Sequence, residues 1–450
     1  MPPSITATRA PLRTAAPPHL FALYGALAIS VLASEWIGNV SVPLGVTKVT
    51  LFPFLWALLI GAAFSAMYHR QQRGAAAAIQ TEQRASRMVQ IVILLFVAKL
   101  GFIVADNLSK VIEAGWILFF QEIGNFVGTL LIAMPVALLL GIQREAVGAT
   151  FSIGREAGVA IIAERYGMNS AEGRGVLAEY ITGSVFGTLF IALFVSLVAS
   201  LGLFDPLALG MAAGIGSGSM TAAAVGALSS QFPDRAGEMQ ALAAASNIIT
   251  TVIGTYIMLF VSLPLANWLY ARLRPWLYRA RPAQDAPAAS SADDVADAIA
   301  DIREDEIPSL GAVVSTLVIA SAVALVGNQI AGKIPVLDAL PGMAVVMAVT
   351  LAGMGLGRAF RRTHVPTLFW VSLVGIAVGY PGTAWAGALV PLVAKVGLLP
   401  LVTPVLALAG LALAKDFPVL RRLGWRIVVV SLLANAGAFL ASAVIAQAFL

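Results

Sequence analysis

The feature that most constrains this chain is its series of long apolar runs. About 17–25 such residues match the thickness of bilayer hydrocarbon and leave few soluble alternatives. Runs of that kind fall at 20–41, 50–68, 88–105, 116–142, 174–203, 239–268, 309–331, 340–357, 365–382, 396–414 and 427–449. Backbone N–H and C=O groups find no partners in hydrocarbon, so each run is expected to be a helix that closes its own hydrogen bonds. Two further segments, near 145–170 and 205–232, are apolar but rich in glycine and broken by polar residues. They are expected to be re-entrant or discontinuous. The fold class is therefore all-α: a polytopic membrane protein of about 11 transmembrane helices plus two broken glycine-rich segments.

Charge supports this reading. Only 11% of the residues are charged and the hydrophobic share is 59%, whereas a soluble domain carries roughly 25% charged residues. With the N-terminus inside, the segments 1–19, 69–87, 143–174, 269–308, 358–364 and 415–426 are cytoplasmic, and they hold 22 of the 28 Lys and Arg residues. The outer segments hold only Lys48, Lys110, Arg235, Lys333 and Lys395. That asymmetry is the positive-inside pattern. The net charge of +5 thus reads as topology and not as a nucleic-acid surface. The expected location is a bacterial inner membrane, multi-pass, with the first run an uncleaved span. Cysteine is absent, and His19, His69 and His364 lie outside or at the ends of apolar runs. No metal centre is expected from them, and no cofactor.

The chain divides into N-terminal scaffold helices at 1–142, a transport core at 143–271, a cytoplasmic linker at 272–308 and C-terminal scaffold helices at 309–450. Arg272, Arg274, Arg279 and Arg281 mark the membrane edge. Beyond them, the Ala-, Ser- and Asp-rich stretch from Pro282 to Pro308 cannot bury a core and reads as solvated. The core carries an internal match. Ser152-Ile153-Gly154 leads through Gly187-Thr188 to Phe194-Val195-Ser196-Leu197, and Gly214-Ile215-Gly216 leads through Gly254-Thr255 to Phe260-Val261-Ser262-Leu263. Each unit is one broken segment followed by one span, so the second lies inverted relative to the first.

Polar groups at membrane depth are costly and mark candidate sites. In Gly216, Ser217, Gly218, Ser219 and Thr221, glycine alternating with hydroxyl residues weakens the helix and frees backbone groups to coordinate a cation or a carboxylate. Close packing through small residues is the alternative; a dinucleotide fingerprint lacks its βαβ setting. Gly154 is followed by Arg155 and Glu156. This Arg suits a carboxylate ligand, or it pairs with Glu156 or Glu145 at the interface. Glu179 lies on a stripe of Gly175, Gly183 and Gly187. A carboxyl there can carry a proton, ligate Na⁺, or hydrogen-bond a neighbouring helix. Asn247 shares a face with Thr250, Thr251 and Gly254, and Glu122 shares one with Asn125 and Thr129. Glu35 near the outer end of the first span forms a similar pair with Asn39.

The broken segments at 145–268 resemble those of the sodium–glutamate symporters and 2-hydroxycarboxylate carriers. The whole chain also resembles an uncharacterised bacterial inner-membrane family of unknown function. The carrier resemblance implies a substrate held between two hairpin tips that move against a scaffold as an elevator. It maps Gly216, Ser217, Gly218 and Ser219 to one tip and Gly154 to the other. Those carriers place one hairpin in each half of the chain, whereas both lie N-terminal here. The expected function is ion-coupled secondary transport of a small organic anion or amino acid, with Na⁺ or H⁺ as coupling ion. A channel or a holin-associated exporter-regulator is the alternative, and would need a continuous polar pore. No catalytic set is apparent, so an enzyme is not expected. The expected partners are the bilayer and a small-molecule substrate, with a homodimer left open and no nucleic acid.

Overall fold

The computed structural model describes residues 19–44, 47–71, 76–168, 170–278, 309–360, 362, 365–414 and 424–450. The linker at 282–308 and its neighbours Arg279 and Arg281 lie outside these residues. The chain opens with α1 (His19–Ile37), a hairpin of β1 (Val40–Leu44) and β2 (Thr47–Leu51), then α2 (Pro53–Gln71), α3 (Ala76–Asp106), α4 (Leu108–Glu113) and α5 (Gly115–Leu139). The antiparallel register pairs Val40 with Leu51 and Val42 with Val49. This short hairpin amends an otherwise helical fold. Gly38, at φ +70°, ends α1 early and leaves Val40 outside the first helix.

Two broken units follow. The first is α6 (Glu145–Thr150), α7 (Arg155–Arg165) and α8 (Ala171–Thr182), which runs through a π-helical turn at Gly183–Gly187 into α9 (Thr188–Ser200). The second is α10 (Pro206–Ala212), α11 (Gly218–Gln231) and α12 (Ala236–Ile257), continued by a π-helical turn at Met258–Ser262 into α13 (Leu263–Leu277). The order of short helix, break, helix and long helix with one π turn is the same in both. The last group is α14 (Leu310–Gly332), α15 (Val336–Ala359), α16 (Thr367–Gly379), α17 (Ala386–Ala394), α18 (Leu398–Leu411) and α19 (Trp425–Phe449).

Among the described residues, seven helices are long and apolar enough to cross a bilayer; α17 with α18, bent by 61°, brings the number to eight if the pair is one broken span and not a re-entrant loop. Phe21–Ile37, Pro53–Tyr68 and Thr367–Gly379 are shorter apolar helices. Trp36, Trp116, Trp276 and Trp425 sit exposed near helix ends, the placement of an interfacial aromatic belt. The chain is a polytopic helical membrane protein.

The bend between α17 and α18 differs from the sequence reading, which leaves 383–395 as an outer loop. Asn328 holds it: its Nδ2 donates to the Lys395 carbonyl at 3.0 Å, and its Oδ1 accepts from Gly397 N at 2.9 Å. Lys99 Nζ donates to the Val393 carbonyl at 2.8 Å. Backbone groups freed by the bend are thereby satisfied.

Packing sorts the helices into two groups that do not follow chain order. In one, α1–α3 pack with α14–α18. Gly61 meets the α18 backbone, Gly410 meets the α2 backbone, and Gly101 meets Gly375 of α16. Glu35 is buried here and accepts from Thr403 Oγ1 at 2.6 Å. In the other, α5–α13 pack with α19. Gly124 and Gly128 on α5 face Ala441 and Gly437 on α19 closely enough that a Cβ on either α5 glycine would strike backbone. Small residues four apart let two helices approach without a side-chain barrier. Hence α5 and α19, which the sequence division assigns to the scaffold segments, pack against the 143–271 core.

Candidate functional site

Each break is held by hydrogen bonds from elsewhere. In the second unit, helix geometry fails across Ala213–Ser217, leaving carbonyls at the end of α10 without their usual donors. Asn247 on α12 supplies them, its Nδ2 lying 2.9 Å from the carbonyls of both Gly214 and Gly216 and 3.1 Å from Thr221 Oγ1. In the first unit the break spans Phe151–Gly154. Ser152 Oγ accepts from Gly154 N at 2.7 Å, and Ser262 Oγ donates to the Phe151 carbonyl.

The contacts cross between units. Met258, in the second unit's π turn, lies against Gly154, and its sulfur is 2.7 Å from Ser152 Oγ. Conversely Met220, just after the second break, lies against Gly187 in the first unit's π turn. Thr188 Oγ1 next to it is 3.3 Å from Ser219 Oγ. Each break therefore docks on the π turn of the other repeat. A π turn misaligns the i→i−4 ladder and recurs at functional sites.

The two ends of each broken segment are clasped together. At the first, Arg144 pairs with Glu172 at 2.5 Å and Arg174 with Glu145 at 2.7 Å. Arg144 also donates to Asn267 Oδ1 at 2.5 Å, and Asn267 Nδ2 donates to the Tyr166 hydroxyl at 2.9 Å. At the second, Arg235 lies 3.3 Å from Asp205, which caps α10 by accepting from Leu207 N at 2.7 Å. Each segment thus ends beside the point where it began.

The breaks open on one shared cavity of about 400 Å³. Asn247, Thr251, Thr255 and Met258 form one wall. From first to last they are 11 residue steps apart along the helix, about 16 Å at 1.5 Å rise per residue. Asn247 holds the second break at one end of that wall, and Met258 meets the first break at the other. Tyr180, Ser184 and Thr188, four apart, form the facing wall. The other helix group contributes Ser86, Gln90 and Ile93 of α3, Leu368 of α16 and Leu413 beyond α18, so the cavity lies between the two groups.

No charged side chain lines the cavity among the described residues. Its polarity comes from hydroxyls, amides and two helix N-termini. Gly154 and Ser217 are the N-cap residues of α7 and α11, and neither helix has a side-chain cap. Both N-caps line the cavity. Uncapped N-termini offer N–H donors and the positive end of the helix dipole, an arrangement that favours anions.

The structure brings together Gly154, Gly216, Ser217, Gly218, Ser219 and Asn247 at this cavity. Thr221 sits just behind the tip, buried. Glu179 is buried in α8 but does not line the cavity, and Gly175, one turn before it, packs against the α6 backbone. Glu122 and Asn125 lie one helix further back, where Glu122 meets the rear of Thr250. The side chains of Arg155 and Glu156 fall outside the description. The sequence reading omits Ser86, Gln90, Tyr180, Ser184, Thr188 and Met258. Ser184–Thr188 and Ser86–Gln90 were available as four-residue polar spacings in apolar helices, but Met258 carries no such signal.

Fold and site together define a polytopic α-helical membrane protein with a polar cavity lined by two broken units of the same element order. The chain belongs to the family described as Protein of unknown function (DUF3100), whose match runs over residues 32–272 and takes in the first unit and all but the last residues of the second. No curated protein and no solved structure matches the chain.

Proposed function

We propose that this protein is an ion-coupled secondary transporter of a small organic anion or amino acid. One observation carries this: two breaks on separate repeats open on a single cavity of about 400 Å³ between two helix groups. That volume suits a small ligand, and the two uncapped helix N-termini favour a carboxylate. The clasped ends support reading both broken segments as re-entrant hairpins entering from opposite faces. With eleven crossings and a cytoplasmic N-terminus in a bacterial inner membrane, the ends of α3, α16 and α18 that line the mouth face the cytoplasm. On this reading the core of α5–α13 and α19 moves as an elevator against the remaining helices. It agrees with the resemblance of 145–268 to sodium–glutamate symporters and 2-hydroxycarboxylate carriers.

The test is uptake of radiolabelled organic acids and amino acids by sealed vesicles, with and without an imposed ion gradient. Gradient-dependent accumulation is expected, and Gly216→Leu and Gly218→Leu should abolish it while leaving membrane insertion intact. Both variants transporting at the wild-type level would reduce the tip to a packing element. Gradient-independent flux that never exceeds equilibrium would point to a channel instead.

A further inference from the structure

Behind the cavity wall, the contact between α5 and α12 holds a polar cluster that transport of an anion does not by itself require. Gln121, Glu122 and Asn125 on α5 are 0%, 0% and 2% exposed. Gln121 Nε2 donates to Ser246 Oγ at 2.5 Å, and Thr250 Oγ1, one turn further along α12, donates to Glu122 Oε1. Asn125 Nδ2 donates to Glu122 Oε2 at 3.2 Å. The remaining oxygens are the unusual ones. Gln121 Oε1 and Asn125 Oδ1 are both buried and accept no hydrogen bond. They belong to residues four apart, hence on one helix face, and they flank a carboxyl group that makes no ion pair among the described residues.

Buried acceptors are nearly always satisfied, so two orphans beside a lone acid need a common cause. A proton on Glu122 would answer the isolated charge but supplies only one donor. A cation answers all three observations, because it neutralises the carboxylate and takes side-chain carbonyl oxygens as ligands. One carboxylate balances one positive charge, whereas a divalent ion would leave net charge buried. Hard oxygen donors with no nitrogen or sulfur suit an alkali cation, and no group of three His, Asp or Glu occurs among the described residues. We infer that Gln121, Glu122 and Asn125, with the hydroxyls of Ser246 and Thr250, form a sodium-type monovalent cation site at the α5–α12 interface.

The site communicates with the cavity through α12. Thr250 bonds Glu122 and also lines the cavity, and Asn247, between Ser246 and Thr250, holds the second break. Resting on the transporter reading, this assigns the coupling ion to α5–α12 and not to Glu179. Occupancy would fix Thr250 and the adjoining turn of α12, and so the backbone at Gly214 and Gly216.

The binding step is testable without any substrate. Intrinsic fluorescence of the eight tryptophans reports thermal unfolding of the purified chain in lipid nanodiscs. Melting should be followed at fixed pH as NaCl replaces choline chloride at constant ionic strength, with KCl as a second comparison. A melting temperature that rises with the logarithm of sodium concentration is expected, with little or no rise for potassium. Glu122→Gln and Gln121→Leu, each checked for monodispersity, should lose the rise, while Glu35→Gln in the other helix group should keep it. Asn125→Leu serves if either variant fails to fold. Absence of a sodium effect on the wild type, or its survival in folded Glu122→Gln and Gln121→Leu, overturns the site. Vesicle uptake driven by another ion would then still uphold transport, so the two readings fail separately.

Discussion

Ser152 Oγ lies 2.7 Å from the sulfur of Met258, joining the break of one repeat to the π turn of the other across 106 residues of chain. Met258 also covers Gly154, so one flexible side chain touches two residues of the first break, alongside the Ser262 bond to the Phe151 carbonyl. Thioethers fill irregular spaces between backbone segments better than branched residues do.

The first prediction follows from that contact. Met258→Ala removes a buried side chain and should destabilise the protein by about 2–4 kcal/mol. It should also loosen the first tip. Limited proteolysis or hydrogen exchange should show faster exchange at 151–158, with the second tip at 213–219 little changed. Equal loosening of both tips would mean that Met258 supports the core generally.

Asn247 donates to two carbonyls of the second tip through one amide group. Asn247→Ala leaves both without that donor. Because the site borders a cavity, replacement partners are within reach, so the loss in stability should be at the low end of the usual range, about 1 kcal/mol. Asn247→Asp should be worse, since it sets an acceptor against two acceptors. Thermal unfolding of the three proteins gives the order, and uptake should fall in both variants.

Gly128 and Gly437 meet backbone to backbone. Gly128→Leu cannot be accommodated by a rotamer change and should prevent α19 from docking on α5. Loss of a monodisperse peak in size-exclusion chromatography is expected, whereas Gly355→Leu, with open space around it, should behave as wild type.

Asn328 is 1% exposed and satisfies one donor and one acceptor at the bend between α17 and α18. Asn328→Leu leaves the Lys395 carbonyl and the Gly397 N–H without that partner; because both lie in partly exposed residues, the cost should be about 1 kcal/mol. Unfolding in denaturant measures it, and a loss under half a kilocalorie would mean that the bend is set by Gly397 and its neighbours alone.

The last prediction is topological. Reporter fusions at residues 78 and 290 should read cytoplasmic and a fusion at the C-terminus should read outer, from the Lys and Arg asymmetry. A cytoplasmic C-terminus would change the number of crossings by one.

Local chemistry was legible in the linear sequence. An apolar run has to become a helix in hydrocarbon, and Gly-Ile-Gly-Ser-Gly-Ser has to interrupt one, so the long helices and both breaks could be placed before any coordinates. The recurrence of those breaks gave the paired units, while the reading of Gly154 and Gly216 to Ser219 as tip positions came from the resemblance to the carriers.

What lines the cavity opposite the tips was decided only in three dimensions. A helix that is apolar on every side does not announce which face is buried, and so Gln90 and Met258 looked like ordinary span residues, while Ser86 fell in the segment 69–87 read as cytoplasmic. The same ambiguity hid the pairing of α5 with α19, which depends on two small-residue surfaces fitting, not on any property of either helix alone. It also put Glu179 and Glu122 on an equal footing. Packing separated them: Glu179 is buried away from the cavity lining, while Ser246 and Thr250 hold Gln121 and Glu122 at the back of the cavity wall. Position along the chain fixes what a residue can do, but in a membrane the helix that comes to lie beside it determines which of those things it does.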